Sequence, residues 1–438
     1  MLEHRLLCAD TGAASLPSIV PPALHRVAGA EPCSSGYTET RTAYTAAALP
    51  VSPSSGRVKI LRFDNITEAR LFRHYVHKVS TWIDICDREC HFGIEVPRRA
   101  HQSRLLCCSI LAFASAFSGS SARSVAYHGE AVDILIPILD GPVESLDENV
   151  LAAIVLLRAF EEGTDTDTAT HLYGGARLLD TASGFAAAGG LGEAASWIML
   201  RQSIYVSFTR SRPLRLNLNS YRRSNAFTGV DAESFANRAV FLCAQVLVFA
   251  FGTGQDAPEW RLEEWHSLEE GLEQWYRTRP KELCAYWVNT PLFEQGGQTA
   301  PAFPTACMTR PVHVISMQTY FMAKLLLSVF NPRLMEPSFD TIVRRREADD
   351  QILNSLRMVI GLAISHPSNI TAGFHARHVL QACGSYLKDP KEQQEALAFL
   401  KNIEAETRWK ASHIAHDLRR VWSKNASEMT TRFCDFTV

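Results

Sequence analysis

No uninterrupted apolar run in this 438-residue sequence reaches the length of a bilayer span. The longest, Leu105 to Phe117 and Ala239 to Phe251, fall short of the ~20 residues a span needs, and the second is interrupted by Gln245. The N-terminus has no continuous apolar core of the kind a secretory signal carries, being broken by Pro17, Pro21 and Pro22. Net charge is nearly absent, at -2, so the whole chain has no electrostatic pull toward nucleic acid or an anionic membrane. Eleven cysteines, an odd number spread through helical patterns with no secretory signal, fit reduced thiols in an intracellular compartment. Catalytic signatures are missing as well. There is no Gly-x-Ser-x-Gly elbow, no Gly-x4-Gly-Lys phosphate loop and no Gly-x-Gly-x-x-Gly after a strand. Asp349-Asp350 lacks the next carboxylate that a magnesium-holding, aspartate-rich helix would add. No strand alternation and no self-similar period is found. The first 56 residues contain no lysine, are rich in Ser, Pro and Ala, and show neither period, so residues 1–56 are expected to be a disordered tail.

What remains is helix after helix, in a composition of 46% hydrophobic and 21% charged residues that suits a large core. The stretch from Asp147 to Phe208 organises the chain. Val150 to Phe160 is apolar nearly all round, with Asp147 as N-cap and Glu148 near the positive helix end. After a turn at Gly163 to Asp167, Ala169, Leu172, Ala176 and Leu179 recur at three-to-four spacing, and Gly174 and Gly175 leave room for a neighbouring backbone. Leu191 to Phe208 sets Trp197, Leu200, Ile204 and Phe208 on one side, with Arg201 beside them.

Before this trio, Asn65 and Glu68 resemble a capping box. The helix they open has a stripe of Leu71, Phe72, Tyr75, Val76, Val79, Trp82 and Ile83, and Cys86 and Cys90 continue it as expected core thiols. Ser121 to Leu139 is a helix stopped or kinked at Pro137. After the trio, residues 210–237 are polar and irregular, with Arg210, Arg212, Arg215, Arg222 and Arg223; the plainer reading is a solvated loop, the sharper one an anion-binding loop. Glu259 to Thr278 is amphipathic with Trp260, Trp265, Leu268, Leu272 and Trp275. Residues 288–312, with four prolines and a Gly-Gly pair, are expected as a long surface loop. Helices then follow over Val312 to Phe330, Asp340 to His366 and Ala372 to Leu387. Two more follow, from an Asp389-Pro390 start signal to Ile403 and over Arg408 to Trp422. The expected architecture is all-α, made of stacked antiparallel helices over residues 57–424 and a tail over 425–438.

Charges embedded among these apolar residues need partners, because buried ions persist only when paired and hydrogen-bonded. Arg158, Glu161, Glu162, His171 and Arg201 are such charges, and are expected to form either a structural ion-pair network or the polar part of a ligand pocket. The pairs His74/His77, His375/His378 and His413/His416 each share a helix face but lack a third ligand, so solvated or capping roles are expected. The Asp165/Asp167 pair is explained by helix capping. No catalytic residue, metal or cofactor is expected.

The segments FRHYVHKVSTWIDICD, VPRRA and LLCCSILAFASAFS, then VLLRAFEE, HLYGGARLLD and LRQSIYVSF, resemble the fungal-specific transcription factor domain of zinc binuclear-cluster regulators. Residues 364–409 resemble the end of the same domain. The resemblance covers roughly residues 57–424, and it implies an all-α regulatory domain in a nuclear protein. It further implies control of transcription, often of metabolic or secondary-metabolite genes, with a small-molecule effector. In that family an N-terminal cluster of six cysteines binds two zinc ions and contacts DNA. Here only Cys8 and Cys33 precede Arg57, with no basic run or heptads, so DNA contact from these residues is expected to be indirect, through another transcription factor or co-regulator. Either exons upstream of this reading frame are missing or the protein lacks a cluster of its own. A helical biosynthetic enzyme and a non-catalytic scaffold are the alternatives, and no membrane partner is expected.

Overall fold

The computed structural model describes residues 63–434 apart from 64, 120, 143–145, 164–168, 182, 253–257 and 290–300. The expected tail at 1–56 and the Asp165/Asp167 turn lie outside the described residues.

The fold is all-α. Ile66–His74 (α1) is capped by Asn65, whose side chain accepts from the Thr67 amide, while Glu68 accepts instead from the Tyr127 hydroxyl at 2.9 Å, so the capping box does not close. The helix widens into one π turn over Tyr75–Val79 and resumes as Ser80–Ile83 (α2). Its buried stripe is Leu71, Tyr75, Val79 and Ile83. A 3-10 turn, Asp84–Cys86, then breaks the helix. Cys86 is buried as expected, but Cys90 is exposed, because it takes a left-handed conformation (φ 53°) ahead of His91–Ala100 (α3) and leaves the stripe.

Arg104–Ser118 (α4) and Ser121–Leu139 (α5) pack along each other across the Gly119 turn. Glu148–Glu162 (α6) starts at Asp147, whose carboxylate accepts from the Asn149 and Val150 amides. Thr170–Thr181 (α7) buries the expected Leu172, Ala176 and Leu179, and Ala169, left-handed (φ 58°) just ahead of the helix, is buried with them. Of its two glycines only Gly175 is closely approached, by Met199 and Ile154.

Gly190–Arg210 (α8) is the hub, touching α3, α6 and α7 on one side. On the other it meets Ala232–Phe251 (α9) and Ile370–Cys383 (α13), which belong to the second half of the fold. Arg201 on α8, Asn237 on α9 and Thr371 on α13 each donate to a carbonyl left open at the end of α2, those of Ile83, Cys86 and Trp82, at 2.8, 3.1 and 3.1 Å.

In the second half, Pro258–Thr278 (α10) buries Trp265, Leu268, Leu272 and Trp275 but leaves Trp260 70% exposed. Five residues before Trp265, Trp260 points about 140° away from that face. Residues 288–312 differ most from expectation. Trp287–Asn289 (β1) and Thr305–Cys307 (β2) pair antiparallel, Trp287 opposite Cys307, and Phe303 is fully buried. β2 lies on Asp340–Ser365 (α12), where the Pro304 carbonyl packs on Gly361 and the Ala306 amide donates to Ser365 Oγ at 3.1 Å. Pro311–Val329 (α11) is packed against α9, α12 and α13. Pro390–Thr407 (α14) begins on the Asp389 cap, and Ser412–Cys434 (α15) continues past residue 424, where the expected tail begins, as far as Cys434. Two helices, Ala232–Phe251 and Pro311–Met335, would be long and apolar enough to cross a membrane, yet most of each is buried among the others, as a core helix is.

Candidate functional site

The five charged residues singled out from the sequence do not form one cluster. The end of α6 carries three of them, all buried: Arg158, Glu161 and Glu162. Consecutive residues on a helix face about 100° apart, so Glu161 and Glu162 look into different neighbourhoods. Glu161 faces α7, where His171 Nδ1 lies 2.9 Å from its Oε1 and the His171 amide donates to its Oε2 at 3.2 Å. Arg158 is 3.8 Å away on the same helix. Burial pushes the Glu161 carboxyl up, but the His171 contact and the charges of His171 and Arg158 outweigh it and hold the group below the ordinary value. His128 stacks on Phe160 and meets His171 edge-on, and burial, then the charge of His171, pushes its ring toward the neutral form.

Glu162 faces the second half of the protein. His378 Nε2 lies 2.9 Å from Glu162 Oε1, and His378 Nδ1 lies 2.7 Å from the Phe374 carbonyl. Each ring nitrogen therefore lies beside an acceptor. Burial pushes Glu162 up, yet the hydrogen bond and charge of His378, with Arg158 and Arg377 nearby, bring it down to about 2. Arg377 Nη1 is 3.3 Å from the same His378 nitrogen, while its Nε and Nη2 donate to the Lys410 carbonyl at 3.1 and 2.7 Å. The Glu162 carbonyl accepts from Trp409 Nε1. One residue of α6 thus ties α13 and the loop before α15 to the first half.

His375, one turn earlier on α13, is also buried. Its Nε2 meets the Tyr205 hydroxyl, and the Tyr205 ring stacks on His378 with centroids 4.7 Å apart. Burial, then the positive charges of His378 and Arg201, drive the His375 ring down to about 3, so it is neutral at ordinary pH. The solvated or capping role expected for His375/His378 is therefore corrected: α13 lies between α8 and α11, which buries its inner face. His77, His413 and His416 are exposed and His74 is half-buried. Among the described residues no three His, Cys, Asp or Glu side chains gather as a metal site would require.

Arg201 joins neither carboxylate by hydrogen bond; it caps the carbonyl end of α2 at Ile83, where a cation also meets the negative end of a helix. His375, His378, Tyr205 and Arg377 are partners that the sequence reading did not connect to Glu162, and the signal available was the His375/His378 spacing. The arginine-bearing loop after α8 is fixed by Glu193, which accepts from the Gly189 and Asn225 amides at 2.9 and 3.1 Å and from Ser224 Oγ at 2.6 Å. Ser224 Oγ in turn accepts from Trp197 Nε1 at 3.0 Å. Arg212, Arg215, Arg222 and Arg223 are exposed on this loop.

Comparison with known proteins follows the same boundary. Residues 70–224, from within α1 to Ser224 in that loop, match the fungal specific transcription factor domain, and the C-terminal likeness over 364–409 lies outside the match. A transcription activator of Alternaria alternata, AMTR1, is 24% identical over 183 residues, which cover 40% of this chain and 24% of that protein. The chain thus spans about a quarter of the length of the curated relative it matches. No solved structure matches the chain. Arg158, Glu161, Glu162, His171 and Arg201 all lie within residues 70–224, the stretch that is similar to the fungal specific transcription factor domain.

Proposed function

We propose that this chain is a transcriptional regulator acting in the nucleus, and that it controls metabolic or secondary-metabolite genes through its helical domain. The match of residues 70–224 to the fungal specific transcription factor domain carries the reading, and the name of the Alternaria alternata relative supports it. In this reading the chain catalyses nothing, and its contact with DNA runs through another transcription factor or a co-regulator. Arg158, Glu161, Glu162, His171 and Arg201 serve as structural ion pairs and caps. Their charged atoms meet one another, His378 or backbone carbonyls, and an acid-base centre would instead present such groups to an open cavity.

The test is chromatin occupancy of the tagged protein across the genome, beside transcript profiles of a deletion strain. Promoter-bound signal with altered transcripts of a biosynthetic gene set is expected, and loss of that signal on removing a second, cluster-bearing regulator would place the DNA contact in trans. Absence of promoter signal, with one pathway product lost and transcripts unchanged, would overturn the reading in favour of a helical biosynthetic enzyme.

A further inference from the structure

A cavity of about 150 Å³ lies between α7, α8 and the turn that follows α8. Leu172 and Ala176 from α7, Val206 from α8 and Leu214 from the turn make its walls, and among the described residues no carboxylate lines it. Apolar cavities of about this volume admit a molecule of benzene size. Two features distinguish it from a packing defect. Ser203 lines it, is 6% exposed, and makes no hydrogen bond to the protein among the described residues. Arg212 and Arg215 stand at its mouth, both exposed and neither with an ion-pair partner among the described residues.

The arginines are held there by the backbone. Ser211 is left-handed (φ 49°), the Arg212 amide donates to the Ser207 carbonyl at 3.1 Å, and Ser207 Oγ donates to the Arg212 carbonyl at 2.6 Å. Pro213 has its own φ fixed by the ring and restricts Arg212 before it. The Arg215 guanidinium lies over the Tyr173 ring, 4.6 Å from its centroid, which fixes its plane while leaving its edge free. An apolar chamber, one unpaired hydroxyl and two unpaired guanidinium groups at the rim are complementary to one chemistry.

We propose that this cavity binds a small organic acid, an aromatic or branched aliphatic body of about six to nine non-hydrogen atoms bearing one carboxylate. The body fills the chamber, the carboxylate accepts from Arg215 and Arg212, and Ser203 donates to a polar atom of the ligand. The inference deepens the effector part of the regulatory reading and rests on that reading only for its consequence in the cell. Binding itself is measured on the purified chain.

The experiment titrates the full chain with benzoate and with benzyl alcohol, which has the same ring without the charge, at low salt by calorimetry and ligand-detected NMR. Benzoate is expected to bind with Kd of about 1 mM or tighter, and benzyl alcohol about tenfold more weakly. Arg215→Gln, a surface change, should weaken benzoate by about fivefold or more and leave benzyl alcohol unaltered. Ala176→Leu, with folding checked by circular dichroism, should abolish both. No binding of benzoate at about ten times that Kd, equal affinity for the two probes with no response to Arg215→Gln, or retained binding in folded Ala176→Leu would each overturn the proposal. Chromatin occupancy can fail while benzoate binds, and the reverse, so the two readings stand or fall separately.

Discussion

Acid sensitivity of the fold should begin at His375. In the unfolded chain the imidazole takes a proton as pH falls through its ordinary 6.5, whereas in the folded protein burial and the charges of His378 and Arg201 delay this to about 3. Between those values the unfolded state binds more protons, so stability falls as pH falls. The full gap corresponds to about 5 kcal/mol at 1.36 kcal/mol per pH unit, of which about 2 kcal/mol is lost by about pH 5. Glu162 adds to the same trend further down, because its carboxyl, held at about 2, contributes stability that is complete above its ordinary 4.5 and lost as pH falls toward 2. The assay is urea unfolding followed by circular dichroism at about pH 7.5 and about pH 5, on the natural protein and on His375→Gln. An amide keeps a polar contact for the Tyr205 hydroxyl but cannot titrate. The variant should be less stable at neutral pH, and the loss it suffers on acidification should be smaller by about 2 kcal/mol. An equal loss in both proteins would refute the assignment of His375 as the buried neutral ring.

Three further substitutions probe other parts of the fold. Glu162→Ala leaves His378 and Arg377 buried without their carboxylate and should cost about 3 to 5 kcal/mol; a cost below about 1 kcal/mol in urea unfolding would mean the pair is solvated. Trp197→Ala removes a side chain only 3% exposed that bonds Ser224, and should cost about 3 to 5 kcal/mol, while Trp260→Ala at 70% exposure should change stability by no more than about 0.5 kcal/mol. Comparable thermal shifts for the two tryptophans would refute the register of α8 or α10. Gly361→Ala would drive a methyl carbon into the Pro304 carbonyl oxygen, so β2 must lift from α12. A destabilisation of about 1 to 3 kcal/mol is expected, and an unchanged urea midpoint would show that the β hairpin does not pack there.

Helices that bury one face were legible because periodicity records the contrast between core and solvent. Leu172, Ala176 and Leu179, or Trp265, Leu268, Leu272 and Trp275, announce their faces directly. Local caps were legible for a similar reason: Asp147 and Asp389 act on amides two or three residues away. The β hairpin was not, since its strands are three residues each and Pro304 and Phe303 look like loop residues until Gly361 receives them.

The candidate site shows where pattern stops being informative. α8 is buried almost all round, from Leu191 to Phe208, so no stripe distinguishes the side that meets α6 from the side that meets α13. On such a helix the polar residues carry the missing information, because each must find a partner in the interior. Arg201 finds the Ile83 carbonyl, Gln202 the Val155 carbonyl at 3.1 Å, and Tyr205 finds His375. The sequence shows that such partners are required but leaves them unidentified, since each depends on which helices tertiary packing brings alongside. The same holds for Glu162 and His378, whose pairing joins a helix of the matched domain to one beyond it. Substitution at either residue should therefore destabilise both halves together, whereas a change at the exposed arginines of the loop after α8 should leave the fold intact and alter only what the loop binds.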